Sequence, residues 1–134
     1  MTVADADILA RTIYGEARGE LYGGRVAVAN VVVNRLLAGK AWWGVTIPSV
    51  CKAKYQFSCW NESDLNRRVI EAVTEDNLDF AECIEIAREA CAGNLPDLTF
   101  GSCHYCVASL NPGWAKGCKP VIRIGAHKFF NDVE

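Results

Sequence analysis

Two carboxylates stand four residues apart in a short segment near the start of the chain. The segment, residues 14–20, holds Glu16 and Glu20. Carboxyl groups are the usual general acids and bases of glycosidic-bond cleavage. Hydrophobic periodicity predicts a helix over residues 5–16, with Glu16 at its C-terminal end. The helix macrodipole disfavours an ionised carboxylate there, and Glu16 therefore has the position of a candidate general acid.

The chemistry of Glu16 depends on the neighbouring aromatic side chains, which affect its pKa, and on the position of Glu20. Tyr14 and Trp60 would exclude water and raise the pKa of Glu16 further. If the helix continued, Glu20 would lie on the same side of it. A carboxyl separation of about 5–5.5 Å suits a retaining hydrolase, and about 6.5–9.5 Å suits an inverting one. Alternatively, Glu20 is an ion-pair partner that organises the turn of its own segment, residues 14–20.

The elements that must position these residues are mostly helices. A buried helix is predicted over residues 24–38, where valines break strand alternation and Gly39 follows as a C-cap. Two further helices are predicted over residues 64–75 and 79–92. Residues 40–62 lack a periodic pattern and are expected to be irregular.

The last third of the chain changes character. Residues 99–107, 120–124 and 127–130 are short, β-branched and aromatic, as is typical of strands, and Gly125 suits a hairpin turn between the last two. The predicted fold class is therefore α+β, a mainly α-helical domain with a small antiparallel β-sheet. The chain has 134 residues, a length typical of a single domain, and we expect residues 1–134 to form one domain.

Composition excludes several function classes. The chain is 51% hydrophobic with a net charge of −2, so it is neither disordered nor basic enough to bind nucleic acid. Its longest near-continuous apolar stretch, residues 26–33, is interrupted by Asn30 and is far shorter than the roughly 20 residues of a membrane span. We expect a monomer with no nucleic-acid or membrane partner. Seven cysteines, an odd number, cannot all pair within one chain.

Two blocks near the N-terminus closely resemble the opening of the SleB-type cell-wall hydrolases, a family that includes spore cortex-lytic enzymes and many phage endolysins. These blocks are residues 10–20 and 24–35. Residues 55–60 are similar to the family's central segment. The family's closing blocks have counterparts in His104-Tyr105, Trp114 and residues 125–130. The resemblance covers nearly the whole chain.

The resemblance implies a lysozyme-like helical fold that cleaves peptidoglycan glycan strands between N-acetylmuramic acid and N-acetylglucosamine. It assigns the catalytic acid to Glu16. In the lytic transglycosylases of this family the muramyl C6 hydroxyl attacks C1, so that one carboxyl acts first as acid and then as base and a 1,6-anhydro end forms. A lysozyme-like muramidase with Glu20 as the second carboxylate is the alternative. Neither chemistry needs a cofactor.

Polar and aromatic residues of the matching blocks are predicted to bind the sugars. The predicted substrate-binding residues are Gln56, Ser58, Trp60, His104 and Tyr105. Ser58 could instead cap a turn, and the Tyr105 hydroxyl could simply reach solvent. Trp60, like Trp114, could stack on a sugar face or lie in the core.

A cluster of soft ligands near the C-terminus gives a rival hypothesis. The residues concerned are Cys103, His104, Cys106, Cys118 and His127. A Cys-x2-Cys pair with further ligands is typical of zinc sites, so a zinc-dependent peptidoglycan amidase or peptidase stays an alternative. A disulfide among the three cysteines is a further possibility.

The acidic N-terminal residues 1–7 do not have the pattern of a secretory signal. We therefore expect the protein to be made in a host cytoplasm without a signal peptide. It would then reach periplasmic peptidoglycan only after a membrane lesion, as the phage endolysins it resembles do through a holin.

Overall fold

Helix α1 (Val3–Ala17) is the central element, and the computed structural model, which describes residues 2–53 and 56–133, packs four other helices against it. Its apolar stripe, including Leu9 and Ile13, is completely buried. Thr2 and Asp5 form a reciprocal capping box at its start. The other helices are α2 (Tyr22–Ala38), α3 (Ile47–Lys52), α4 (Leu65–Ala72) and α5 (Leu78–Cys91).

Helix α2 is buried on most of its circumference, because α1, α3, α5 and the sheet all pack against it. This explains why its valines alternate on no single face. Gly39 ends the helix with a left-handed φ of 69°, as predicted. Asn30 and Asn34 use their side chains to bond the backbone of residues 96–102 and so have a structural role.

Residues 40–62 are more regular than expected. They contain α3 and a one-turn 3-10 helix, Ser58–Trp60. Thr46 caps α3 together with Ser49, and Pro48 occupies its first turn. Six residues are too few to establish a hydrophobic period, so the sequence pattern did not indicate this helix.

Three short strands form one antiparallel sheet in the order β1-β3-β2. The strands are β1 (His104–Val107), β2 (Ile122–Ile124) and β3 (His127–Phe130). Tyr105 pairs with Phe129 across β1 and β3. The prediction of strand at residues 99–103 is wrong, because Asp97 accepts the backbone N–H groups of Thr99 and Gly101 and folds this stretch into a turn.

The fold class is confirmed as α+β, mainly helical with one small antiparallel sheet. Within residues 2–53 and 56–133, no helix has both the length and the apolar character needed to cross a membrane.

Candidate active site

Glu16 lies in the last turn of α1, half-buried, at the junction between that helix and the sheet. The Tyr105 hydroxyl donates a hydrogen bond of 2.8 Å to its Oε1. Burial raises the pKa of Glu16. The Tyr105 hydroxyl, Cys59 and nearby His127 lower it and only partly offset the effect of burial. A carboxyl with a raised pKa can donate a proton near neutral pH.

Gly15 permits the close approach that brings Cys59 to the carboxyl. A Cβ at position 15 would lie 2.7 Å from the Cβ of Cys59 and 2.9 Å from Cγ2 of Ile70, which no side chain tolerates. Asn66 on α4 donates to the Gly15 carbonyl at 2.9 Å. The glycine that precedes Glu16 is therefore required by packing against the 3-10 turn and α4.

Tyr105 is the sheet's contribution to the site. Its ring stacks on Phe129 at 5.6 Å and meets the edge of His127 at 5.0 Å. Burial is the main cause of a raised pKa of Tyr105, so the hydroxyl keeps its proton and acts as a donor. The hydroxyl is directed at Glu16 and not at solvent.

Tyr14 and Trp60, which the sequence suggested as the aromatic cover of Glu16, both have other partners in the core. Tyr14 points towards α5, where it meets the edge of the Phe80 ring. Trp60 is 8% exposed, and its indole N–H donates to Thr12 inside the core at 2.9 Å. The side chains that act on the Glu16 carboxyl are Tyr105 and His127 from the sheet and Cys59 from the 3-10 turn.

Glu20 does not share a helix face with Glu16, because α1 ends at Ala17. Its Oε1 accepts the backbone N–H of Ala126 at 2.9 Å and lies 3.6 Å from Nδ1 of His127. The carboxylate thus contacts the β2–β3 turn, far from its own segment in the sequence.

Arg25 is an important residue that sequence reasoning missed. It is 6% exposed, and its guanidinium donates to the carbonyl oxygens of Ala17 and Arg18 at the end of α1. It also pairs with Asp79 at 2.8 Å and Glu82 at 3.1 Å on α5. The only available signal was a charged residue inside an apolar helix. Arg25 fixes the chain immediately after Glu16.

Two other predicted substrate-binding residues lie on or near the 3-10 turn. Gln56 is exposed, and its Oε1 accepts a 3.0 Å hydrogen bond from the buried Arg35. Ser58 is also exposed, at the start of the turn that carries Cys59. Both side chains are accessible to a ligand, and their role in sugar binding stays a prediction.

His104 lies apart from the Glu16 cluster, because successive strand residues point to opposite faces and Tyr105 faces Glu16. Its ring packs between Trp43 at 5.5 Å and Trp114 at 5.3 Å. Burial, with Arg35 and Lys40 nearby, lowers the pKa of His104 to about 4. The imidazole is therefore neutral at neutral pH.

The proposed zinc ligands do not assemble. Across the described ranges, no three His, Cys, Asp or Glu side chains lie close enough together to hold a metal ion. All seven cysteines are free thiols. His127 faces Glu20, whereas His104 lies between two tryptophans. The zinc hypothesis thus has no ligand set in this part of the chain.

The chain belongs to the cell wall hydrolase family, whose sequence profile matches residues 19–130. It is therefore an enzyme that acts on the cell wall. Glu16 precedes the matched range, so its assignment depends on the site geometry and on the resemblance of residues 10–20.

Curated relatives are similar over a short segment. Spore cortex-lytic enzymes from Bacillus subtilis, Oceanobacillus iheyensis and Halalkalibacterium halodurans are each 59% identical to this chain over 32 residues. That segment is 24% of this chain and only 10–12% of the relatives' length.

Two solved structures share the fold. The catalytic domain of the germination-specific lytic transglycosylase SleB from Bacillus anthracis superposes with a TM-score of 0.74 at 24% identity, over 97% of this chain and 96% of that one. The catalytic domain of the Bacillus cereus SleB protein gives 0.75 at 24% identity, over 97% and 91%. The mainly helical architecture with its small sheet is thus that of the SleB catalytic domain.

Proposed function

We propose that this enzyme cleaves the β-1,4 bond between N-acetylmuramic acid and N-acetylglucosamine in peptidoglycan, with Glu16 as general acid. The observation that carries the proposal is the half-buried carboxyl with its raised pKa at the junction of α1 and the sheet. Membership of the cell wall hydrolase family supplies the substrate class. The resemblance of residues 10–20 to the SleB-type opening supports the bond and the residue.

The charge requirements of the reaction fit the groups around Glu16. An alkoxide is a poor leaving group, so protonated Glu16 gives its proton to the glycosidic oxygen as the C1–O bond breaks and an oxocarbenium-like sugar develops. Glu16 is then a carboxylate. The Tyr105 hydroxyl donates to it, and Cys59 lowers the pKa of Glu16, so both residues favour the charged form.

We propose the lytic transglycosylase route for the second half of the reaction. The muramyl C6 hydroxyl attacks C1, ionised Glu16 accepts the hydroxyl proton, and a 1,6-anhydro end forms. This returns Glu16 to its protonated state, so one carboxyl completes the cycle. In support, Glu20 is already engaged with the Ala126 N–H and lies beside His127.

Mass spectrometry of digested, purified peptidoglycan tests this function. Muropeptides with anhydromuramyl ends support the transglycosylase route. Reducing muramic ends would instead support the muramidase alternative, in which Glu20 is the second carboxylate. Free stem peptides with intact glycan strands would overturn glycan cleavage and revive an amidase or peptidase.

We also propose that the protein acts as an endolysin, held in the host cytoplasm until the membrane is breached. The support is the resemblance of its opening blocks to phage endolysins. Expression of the chain in a bacterial cytoplasm, with and without a membrane-permeabilising agent, tests the proposal. We expect lysis of the culture only after permeabilisation, and lysis without the agent would contradict the proposed release step.

A further inference from the structure

A continuous series of contacts runs from Glu20 through the sheet to Glu16. Glu20 Oε1 lies 3.6 Å from His127 Nδ1. The His127 ring meets that of Tyr105 edge-on, with a centroid separation of 5.0 Å and an interplanar angle of 74°. The Tyr105 hydroxyl then donates to Glu16 at 2.8 Å. The contacts thus link three elements, the α1–α2 connection, β3 and β1, to the candidate acid.

The first contact fixes the β2–β3 turn. Glu20 accepts the Ala126 N–H at 2.9 Å, and the Glu20 carboxylate packs against the turn glycine, Gly125. Gly125 has a left-handed φ of 58°, and any Cβ at this position would collide with Oε1 of Glu20. The turn and the carboxylate are therefore fitted to one another.

His127 is the second member of the series. Its side chain is 11% exposed, and Nδ1 has no hydrogen-bond partner within the described part of the chain. A buried nitrogen without a hydrogen-bond partner lowers the free energy of unfolding, so its presence requires an explanation. The imidazole lies between Glu20 and the ring of Tyr105, and its contacts with both explain why the ring is kept in this position.

We propose that Glu20 and His127 are positioning residues for the general acid. Glu20 holds the β2–β3 turn and His127 in place, His127 fixes the ring of Tyr105, and the Tyr105 hydroxyl orients the Glu16 carboxyl. The inference rests on the proposed role of Glu16 and extends it to the residues behind the site. It also gives Glu20 a task other than that of a second catalytic carboxylate.

The proposal predicts a pH signature that a purely structural role would lack. The titratable side chains that face Glu16 are Tyr105 from β1, His127 from β3 and Cys59 from the 3-10 turn, with Glu20 behind His127. Tyr105 and His127 both lower the pKa of Glu16. Loss of the His127 ring should therefore shift the alkaline limb of the kcat profile to higher pH.

A pair of His127 variants tests the central contact. His127→Ala removes the ring, whereas His127→Phe keeps an aromatic edge against Tyr105. Since misplacement of a catalytic group by about 1 Å can cost about 10²-fold, we expect at least a tenfold loss of kcat in His127→Ala, with KM changed by less than about twofold. His127→Phe should restore most of kcat. Thermal melts of both variants establish that they are folded.

A double-mutant cycle tests whether His127 acts through Tyr105. In a Tyr105→Phe background, which removes the hydroxyl, His127→Ala should cause little further loss of kcat. Fully additive losses would overturn the proposed series of contacts. Wild-type kcat in a folded His127→Ala variant would overturn it as well.

Two Glu20 variants complete the test. Glu20→Gln keeps a carbonyl oxygen for the Ala126 N–H, whereas Glu20→Ala keeps none. We expect Glu20→Gln to retain most activity and Glu20→Ala to resemble His127→Ala. Equal, severe losses in both would overturn the positioning role and favour a catalytic carboxylate.

Glu16→Gln, measured in parallel, distinguishes a failure of the proposed function from a failure of the positioning proposal. If Glu16→Gln is inactive while His127→Ala matches the wild type, only the inference about positioning fails. If Glu16→Gln is active, the proposed function fails first. Glu85→Gln, at an exposed carboxylate on α5, is the matched control for loss of one negative charge.

Discussion

The hydroxyl of Tyr105 donates to Oε1 of Glu16 at 2.8 Å, across 89 positions of the sequence. This contact joins β1 to the last turn of α1 and sets the environment of the candidate acid. The donor opposes burial, which raises the pKa of the same carboxyl. Glu16 can therefore hold a proton and yet bear the negative charge left when the proton is given up.

The first prediction concerns this hydrogen bond. Tyr105→Phe keeps the ring that stacks on Phe129 and removes only the hydroxyl. We expect a folded protein in which kcat falls about tenfold, since hydrogen bonds to charged groups contribute about 1.5–3 kcal/mol. The alkaline limb of the pH profile should shift upwards because ionised Glu16 loses a donor. An unchanged pH profile would contradict the assigned contact.

The second prediction concerns the stability cost of the site. Burial raises the pKa of Glu16 from its ordinary value of 4.5, so the folded state prefers the protonated carboxyl. The contribution of protonated Glu16 to the free energy of unfolding is fully present below pH 4.5. It is lost as the pH rises through the pKa that Glu16 has in the folded state. Glu16→Gln should therefore raise Tm at about pH 8 more than at about pH 4. A larger gain at the acidic pH than at the alkaline one would contradict the burial of the carboxyl.

The third prediction uses the two glycines on either side of Glu16. Gly15→Ala inserts a Cβ against Cys59 and Ile70, and we expect a destabilisation of about 1–3 kcal/mol, typical of overpacking. Activity should fall further than stability explains, because Cys59 is displaced from Glu16. Gly19→Ala is the matched control, since a Cβ there meets no atom within 4 Å. Denaturant unfolding and lysis assays check both variants, and equal behaviour would contradict the packing argument.

The fourth prediction tests the anchor behind α1. Arg25→Met removes the donors to the carbonyls of Ala17 and Arg18 and leaves Asp79 and Glu82 without their cation. We expect a loss of about 1.5–3 kcal/mol in the free energy of unfolding. Denaturant unfolding measures it. Arg88→Met, at an exposed position on α5, is the control, and losses of equal size in the two variants would contradict the anchoring role.

Helices α1 and α5 could be predicted from the sequence, because their 15 and 14 residues establish a hydrophobic period, whereas α2 is indicated by its broken strand alternation and the C-cap Gly39. Helix α3 could not, since six residues are fewer than two turns. Residues 99–103 have strand propensity, but the side chain of Asp97 captures their N–H groups and makes a turn. The strand propensity of these residues is therefore outweighed by hydrogen bonds to the Asp97 side chain.

The site could be predicted only in part. The sequence indicates Glu16 by its position at a helix end and by the family resemblance, and Tyr105 by the resemblance alone, but no pattern indicates that the two touch. The partnership of Glu20 with Ala126 depends on how a turn packs 106 residues away. No sequence pattern indicates that Cys59 lies beside Glu16, because its approach depends on the space left by Gly15. Such relationships arise from tertiary packing, which spacing along the chain does not encode.

The most direct test of the central claim is the rate at which Glu16→Gln cleaves purified peptidoglycan, measured against wild type and Glu85→Gln. Since general acid catalysis contributes about 10²–10⁴-fold, we expect the folded Glu16→Gln variant to lose at least about 10²-fold in rate, with Glu85→Gln unchanged. A folded Glu16→Gln variant that keeps about a tenth or more of the wild-type rate would contradict the assignment of Glu16 as the general acid.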